Sequence, residues 1–191
     1  MSANGNTFSS FPVLPLFLLV FIFYLNFVSR VIMAPLLPIV EADLGFSHGQ
    51  AGSLFFFVAF GYGAGLLGSG FVSYFLTHRF TITLAGMMGG VSLILISRSQ
   101  SIGAIHAGLV FIGFFAGLYL PSGIASLTEL ISKKHWGKAM AIHELAPNAA
   151  FITAPLLAEF LLRFLSWRGA LHALGVWTIL MPVLFLLFGR G

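Results

Sequence analysis

Six apolar stretches, each close to or above the length that crosses a bilayer, follow one another along this chain with short polar links between them. A stretch of about 20 such residues spans the hydrocarbon core as a helix, because a helix satisfies every backbone N–H and C=O within itself. The stretches cover residues 13–39, 50–75, 81–96, 102–131, 138–162 and 169–188. They are apolar all round, whereas a membrane barrel strand alternates apolar and polar residues over about ten positions. The pattern predicts an all-α fold, a polytopic membrane bundle of six helices over residues 13–189. A disordered cytoplasmic N-terminus is expected over residues 1–12. A secretory leader needs a positive region at its start, and no basic residue precedes Arg30, so the first stretch is expected to remain as a spanning helix.

Composition removes most other classes. Charged residues make up 7% of the chain, against about 25% in a soluble domain that must face water. The bilayer is the expected solvent and partner. Cysteine is absent, which excludes disulfides, thiolate metal sites and cysteine nucleophiles. The net charge of +4 comes without any basic run interleaved with stacking aromatics, so nucleic acid is not an expected partner. No cofactor motif and no metal motif is found. The pair His143–Glu144 opens like H-E-x-x-H, but Pro147 stands where the second histidine would be.

The links carry cap chemistry and set the expected orientation. Ser47 and Gln50 have the spacing of a capping box before the second helix. With the N-terminus inside, the cytoplasmic links hold Arg79, Lys133, Lys134, Lys138 and Arg190, and the opposite side holds Arg98, Arg163 and Arg168. This bias places both termini in the cytoplasm. Within the spans, Gly61-xxx-Gly65 and Gly113-xxx-Gly117 have the spacing that lets helix backbones approach closely.

An ionisable side chain at membrane depth costs at least roughly 2.5–3.5 kcal/mol on insertion scales, so each one calls for a reason. Arg30 lies past the middle of the first helix, and Asn26, Arg30 and Met33 share a face by helical spacing. Arg30 either snorkels to the headgroups or faces a polar cavity. Tyr119, Ser122, Ser126 and Glu129 form a stripe on the fourth helix, and Glu144, Asn148, Pro155 and Glu159 form one on the fifth. Aligned polar faces on helices one, four and five predict a shared water-accessible pathway. Helices three and six carry few polar residues and are expected at the lipid-facing periphery. Glu144, Glu159 and His143 are candidates for proton handling or ion pairing. Arg30 is expected to bind an anionic group, or to exchange between that group and Glu159.

The order of these features resembles the major facilitator superfamily of secondary transporters. The passage APLLPIVEADLGFSHGQAGSL resembles the family's turn from helix one to helix two. The stretch from Gly70 to Arg79 falls on the family's loop signature G-x-x-x-D-R-x-G-R-R, where Gly70 and Arg79 match outright and His78 stands for a basic residue. Ser166-Trp167-Arg168-Gly169-Ala170 resembles its entry to helix six, while Leu109 replaces a frequent arginine of helix four. The likeness covers the chain but only the family's first six-helix half. It implies inverted three-plus-three repeats, alternating-access transport of a small solute in the cell membrane, and a second six-helix half or a second copy as partner. A different expectation is a non-transporting half that assembles with a full-length relative. The protease alternative, a rhomboid-like pairing of Ser122 with His172, fails on depth, because the two stand on the order of 24 Å apart along the membrane normal.

Overall fold

The computed structural model describes residues 13–188; the expectation for residues 1–12 lies outside them. Among the described residues there are seven α-helices, one short 3₁₀ turn and no strand. The helices are α1 (Val13–Val31), α2 (Met33–Leu44), α3 (His48–Phe75), α4 (His78–Ser97), α5 (Ile102–Leu130), α6 (Trp136–Leu162) and α7 (Trp167–Phe188). The first two together make one span, Val13–Leu44, so six spans are long and apolar enough to cross the bilayer. The expected boundaries hold within a few residues except in that first span. There Pro35 cannot donate to the carbonyl of Val31, so the helix breaks at Ile32 and restarts. It then runs on to Leu44 and stops on Gly45, whose φ of 70° is the left-handed geometry of a C-cap.

The capping box forms as expected: Ser47 Oγ accepts from Gln50 N at 3.3 Å, and Gln50 Oε1 accepts from Ser47 N at 3.0 Å. Thr77 and Ser101 cap α4 and α5 in the same way, each accepting from the amide three residues on.

Helix α5 packs against both α3 and α4, α4 packs against α7, and α1 packs mainly against α6. Gly61 and Gly65 of α3 lie directly on the backbone of Val110 and Phe114, and Gly113 and Gly117 of α5 lie on that of Val58 and Tyr62. A Cβ at any of the four would collide with main chain. The α4–α7 contact is built likewise, with Gly90 against the Gly175 carbonyl and Gly86 against Pro182. Helix α4 is therefore largely buried between α5 and α7, which corrects the expectation that it lies at the periphery. Its Gly86 and Gly90 let it close tightly on α7. The most exposed span is α3, whose outer face carries Phe56, Phe60, Leu67, Phe71 and Tyr74.

The second three spans repeat the first in the same order and, three spans on, in the opposite orientation. Arg79 at the start of α4 donates to the Leu186 carbonyl at the end of α7, at 2.6 Å. Arg168 at the start of α7 donates to the Ser97 and Ser99 carbonyls at the end of α4, at 3.2 and 2.6 Å. Each arginine meets the carbonyls that its partner helix leaves unpaired, where a cation also suits the helix dipole. The offset from Arg79 to Arg168 is the same as from Gly86 to Gly175, and from Val13 to Ile102 at the starts of α1 and α5.

Candidate functional site

Two polar clusters that involve α1 lie inside the spans. The first is built around Arg30, in the last turn of α1 before the break. Its guanidinium lies 4.1 Å from the centroid of Phe27 and 4.6 Å from that of Tyr62. The faces of both rings carry negative charge and partly offset the lost hydration of the cation. A cavity of about 250 Å³ opens here between α1, α3 and α6, lined by Arg30, Tyr62, Phe55, Val58 and Phe151 among others. Arg30 Nε is buried without a hydrogen-bond partner, and so is Asn26 Oδ1 one turn earlier. Met33 does not share this face. It lies in the core, where it is 1% exposed, and it does not line the cavity.

Glu159 does not meet Arg30. Its carboxylate pairs with Arg163 at 2.7 Å, one turn along α6, and both side chains are exposed. An acid four residues before a base on one helix finds that partner first, at little cost in ordering. Among the described residues no salt bridge reaches Arg30.

The second cluster joins α1, α5 and α6. Tyr119, fully buried, donates its hydroxyl proton to the Leu19 carbonyl of α1 at 2.9 Å, and the same oxygen lies 3.3 Å from His143 Nε2. The other nitrogen, Nδ1, lies 3.2 Å from Glu144 Oε1. Phe23 of α1 stacks on the imidazole, with centroids 4.2 Å apart and planes 10° apart. Gly123, one turn on, leaves room for the Tyr119 ring.

The expected pathway across helices one, four and five is not one continuous face. Tyr119, Ser122 and Ser126 point into the bundle and are buried, Ser122 beside His78 Nδ1 at 3.3 Å and Ser126 with its hydroxyl unpartnered. Ser122 has no contact with His172, so the protease pairing is not formed. Glu144, Asn148, Pro155 and Glu159 do share one face of α6, and that face is exposed. Asn148 donates to the Glu144 carbonyl at 2.8 Å, in the turn that Pro147 disturbs. Gly70 is exposed near the end of α3, and His78 and Arg79 help line a polar pocket at the loop beyond it, with Glu129 of α5. Phe27 and Tyr62 were not foreseen. Tyr62 lies between Gly61 and Gly65, where the glycine pattern masks the one aromatic that carries a hydroxyl.

A model of the Major Facilitator Superfamily matches residues 16–190. The chain belongs to this superfamily. It is 27% identical over 150 residues to a protein of Chlamydia pneumoniae named probable hexose phosphate transport protein, covering 78% of this chain and 33% of that one. A protein of the same name from Chlamydia trachomatis serovar D is 27% identical over 154 residues, covering 81% of this chain and 33% of that one. Among solved structures, a bacterial homologue of the human lysosomal transporter Spinster superposes with a TM-score of 0.84 in its inward-facing, unoccupied form, at 16% identity. That superposition covers 97% of this chain and 44% of the other. The same homologue in its occupied form gives 0.81. The chain thus spans about a third of the length of the curated relatives it matches. As a superfamily member it is a multi-pass membrane protein of a transporter class, with the fold of one six-helix half.

Proposed function

We propose that this chain supplies six helices of a secondary active transporter that carries a small anionic solute by alternating access. It would work with a second six-helix half or a second copy of itself. The observation that carries the reading is Arg30. Its guanidinium lies against two aromatic rings at the wall of a cavity, and no carboxylate among the described residues neutralises it. A charge held at that depth is costly unless a counter-charge arrives, and a solute anion supplies one. The planar fork suits a phosphate or carboxylate, binding it through two parallel hydrogen bonds. The names of the Chlamydia relatives agree with such cargo, since a hexose phosphate is an anion. Asn26, whose side-chain oxygen is unpartnered, would adjust to the incoming solute from one turn away. The excess of Lys133, Lys134 and Lys138 at one end of the bundle favours the cell membrane with both termini in the cytoplasm.

The test is uptake of phosphate and hexose phosphates by the assembled transporter. Arg30→Ala should abolish uptake while leaving membrane insertion intact. Arg30→Lys should retain only part of it, because lysine keeps the charge and loses the fork. Full activity in Arg30→Ala would show that Arg30 has no role in binding solute.

A further inference from the structure

At these distances the Tyr119–His143–Glu144 chain accommodates two proton counts. In the first, the Leu19 carbonyl, which only accepts, takes the single proton of the Tyr119 hydroxyl at 2.9 Å. The Tyr119 oxygen can then only accept from His143 Nε2, which must carry a hydrogen. That leaves Nδ1 facing Glu144 Oε1 at 3.2 Å. A neutral imidazole protonated on Nε2 has a lone pair at Nδ1, and an ionised carboxylate has no proton to offer. Two acceptors would repel at that distance. This arrangement therefore holds one more proton between them, on Nδ1 as an imidazolium or on the carboxyl group, whereas with the hydroxyl turned to Nε2 and the hydrogen on Nδ1 none is needed.

We propose that Tyr119, His143 and Glu144 form a proton-binding site whose discharge moves the Tyr119 hydrogen bond from α1 to α6. When the shared proton leaves through Glu144, which is about half exposed, the carboxylate becomes an acceptor. His143 then changes tautomer, releasing the Nε2 proton to water and taking one back at Nδ1 by way of Glu144, which accepts the new N–H. Nε2 is left with a lone pair facing Tyr119. The hydroxyl swings its proton from the Leu19 carbonyl to Nε2. Nothing is oxidised or reduced. One proton passes to water, and one hydrogen bond between α5 and α1 is exchanged for one between α5 and α6.

The surroundings suit such a site. From α1 come the Leu19 carbonyl and the ring of Phe23, whose face 4.2 Å away favours the charged imidazole. From α5 comes Tyr119, and from α6 itself Glu144. Among the described residues no other charged or titratable side chain bonds to His143. Membrane-embedded carboxylates and histidines are commonly proton carriers, so the site supplies a coupling ion for the transport proposed above, and in that respect it rests on that reading.

The test uses the chain in lipid nanodiscs with ¹⁵N-labelled histidine, and no solute. Of its six histidines, His143 is assigned by the signal lost in His143→Gln. Should that variant not fold, Tyr119→Phe, which removes one oxygen and keeps the ring, must perturb the same signal. Between about pH 5 and about pH 9, which brackets the ordinary histidine range, His143 should pass from the Nε2–H or doubly protonated form to the neutral Nδ1–H form. Glu144→Gln should remove the pH-dependent change of tautomer, because an amide has no proton to release in this range. A neutral Nδ1–H tautomer at every pH, or an unchanged transition in Glu144→Gln, would overturn the proposal. The nitrogen shifts need no transport. Failure to move phosphate would remove the anion reading and leave this site standing.

Discussion

The seam between α3 and α5 and the seam between α1 and α6 are the same contact in the two inverted repeats, yet they are built from different residues. In the first, Gly61 and Gly65 lie on the backbone of α5, and Gly113 and Gly117 lie on that of α3. At the repeat offset, Ala150 and Ala154 stand for Gly61 and Gly65, and Tyr24 and Val28 for Gly113 and Gly117. The second seam is therefore propped apart by side chains. Ala146, Ala150, Ala154 and Ala158 form its buried stripe on α6, and Tyr24 reaches across to Thr153 at 2.7 Å. Glycine on glycine excludes everything but backbone. A seam held open by methyl groups and rings has space for polar side chains, and the His143–Phe23 stack and the Tyr24–Thr153 bond lie along it. On the first seam Ser53 meets His106 only beyond the glycines, at 3.1 Å. Arg30 and Tyr119 even occupy equivalent positions in the two repeats.

The largest effect should come from closing the wrong seam. Gly113→Leu would drive a branched side chain into the backbone of Val58 and Tyr62, and folded protein should be lost. Gly61→Ala, with one added methyl, should cost about 1–3 kcal/mol. The matching change at the other seam, Ala150→Gly, should cost about 1 kcal/mol or less, since it removes one methyl and some helix propensity. Thermal unfolding in detergent, read by loss of monodisperse protein, compares them directly. Equal losses at Gly61 and Ala150 would show that the two seams are equally tight.

A smaller contrast separates the two arginine caps. Arg168 holds two carbonyls, bonds Asp43 at 3.1 Å and lies over Trp167, which itself donates to Asp43. Arg79 makes one carbonyl bond, and its Nε is unpartnered. Arg168→Ala should lower stability by about 1–2 kcal/mol after allowance for partial exposure, and Arg79→Ala by less. If Arg79→Ala is the more damaging in the same unfolding assay, the repeat is asymmetric in the opposite sense.

Much of this architecture is legible in the sequence, and the rest hides for identifiable reasons. Six spans, the Ser47–Gln50 box and the glycine pairs follow from local period and spacing, which tertiary packing does not overrule. The break at Ile32 was signalled by Pro35, but an apolar run reads the same on either side of it. The polar stripe of α5 was visible as a stripe, while its inward direction depends on how α1 and α3 flank it. The exposed stripe of α6 drew attention away from the alanines on its opposite side, because alanine carries no chemical signal. Arg30 stood out as a charge. Its aromatic neighbours come from chain neighbours and a helix about 30 residues on, whose rotation no single-helix pattern fixes.

The proposal that the cavity at Arg30 attracts anions can be tested directly, because the chain has no cysteine. Tyr62→Cys places one thiol beside the guanidinium. Its modification rates by an anionic and a cationic methanethiosulfonate of similar size, measured with the chain in nanodiscs, report both water access and local charge. The account predicts faster modification by the anionic reagent, with that advantage lost when Arg30→Ala is added. A thiol that neither reagent reaches, or one that prefers the cation with Arg30 in place, would contradict it.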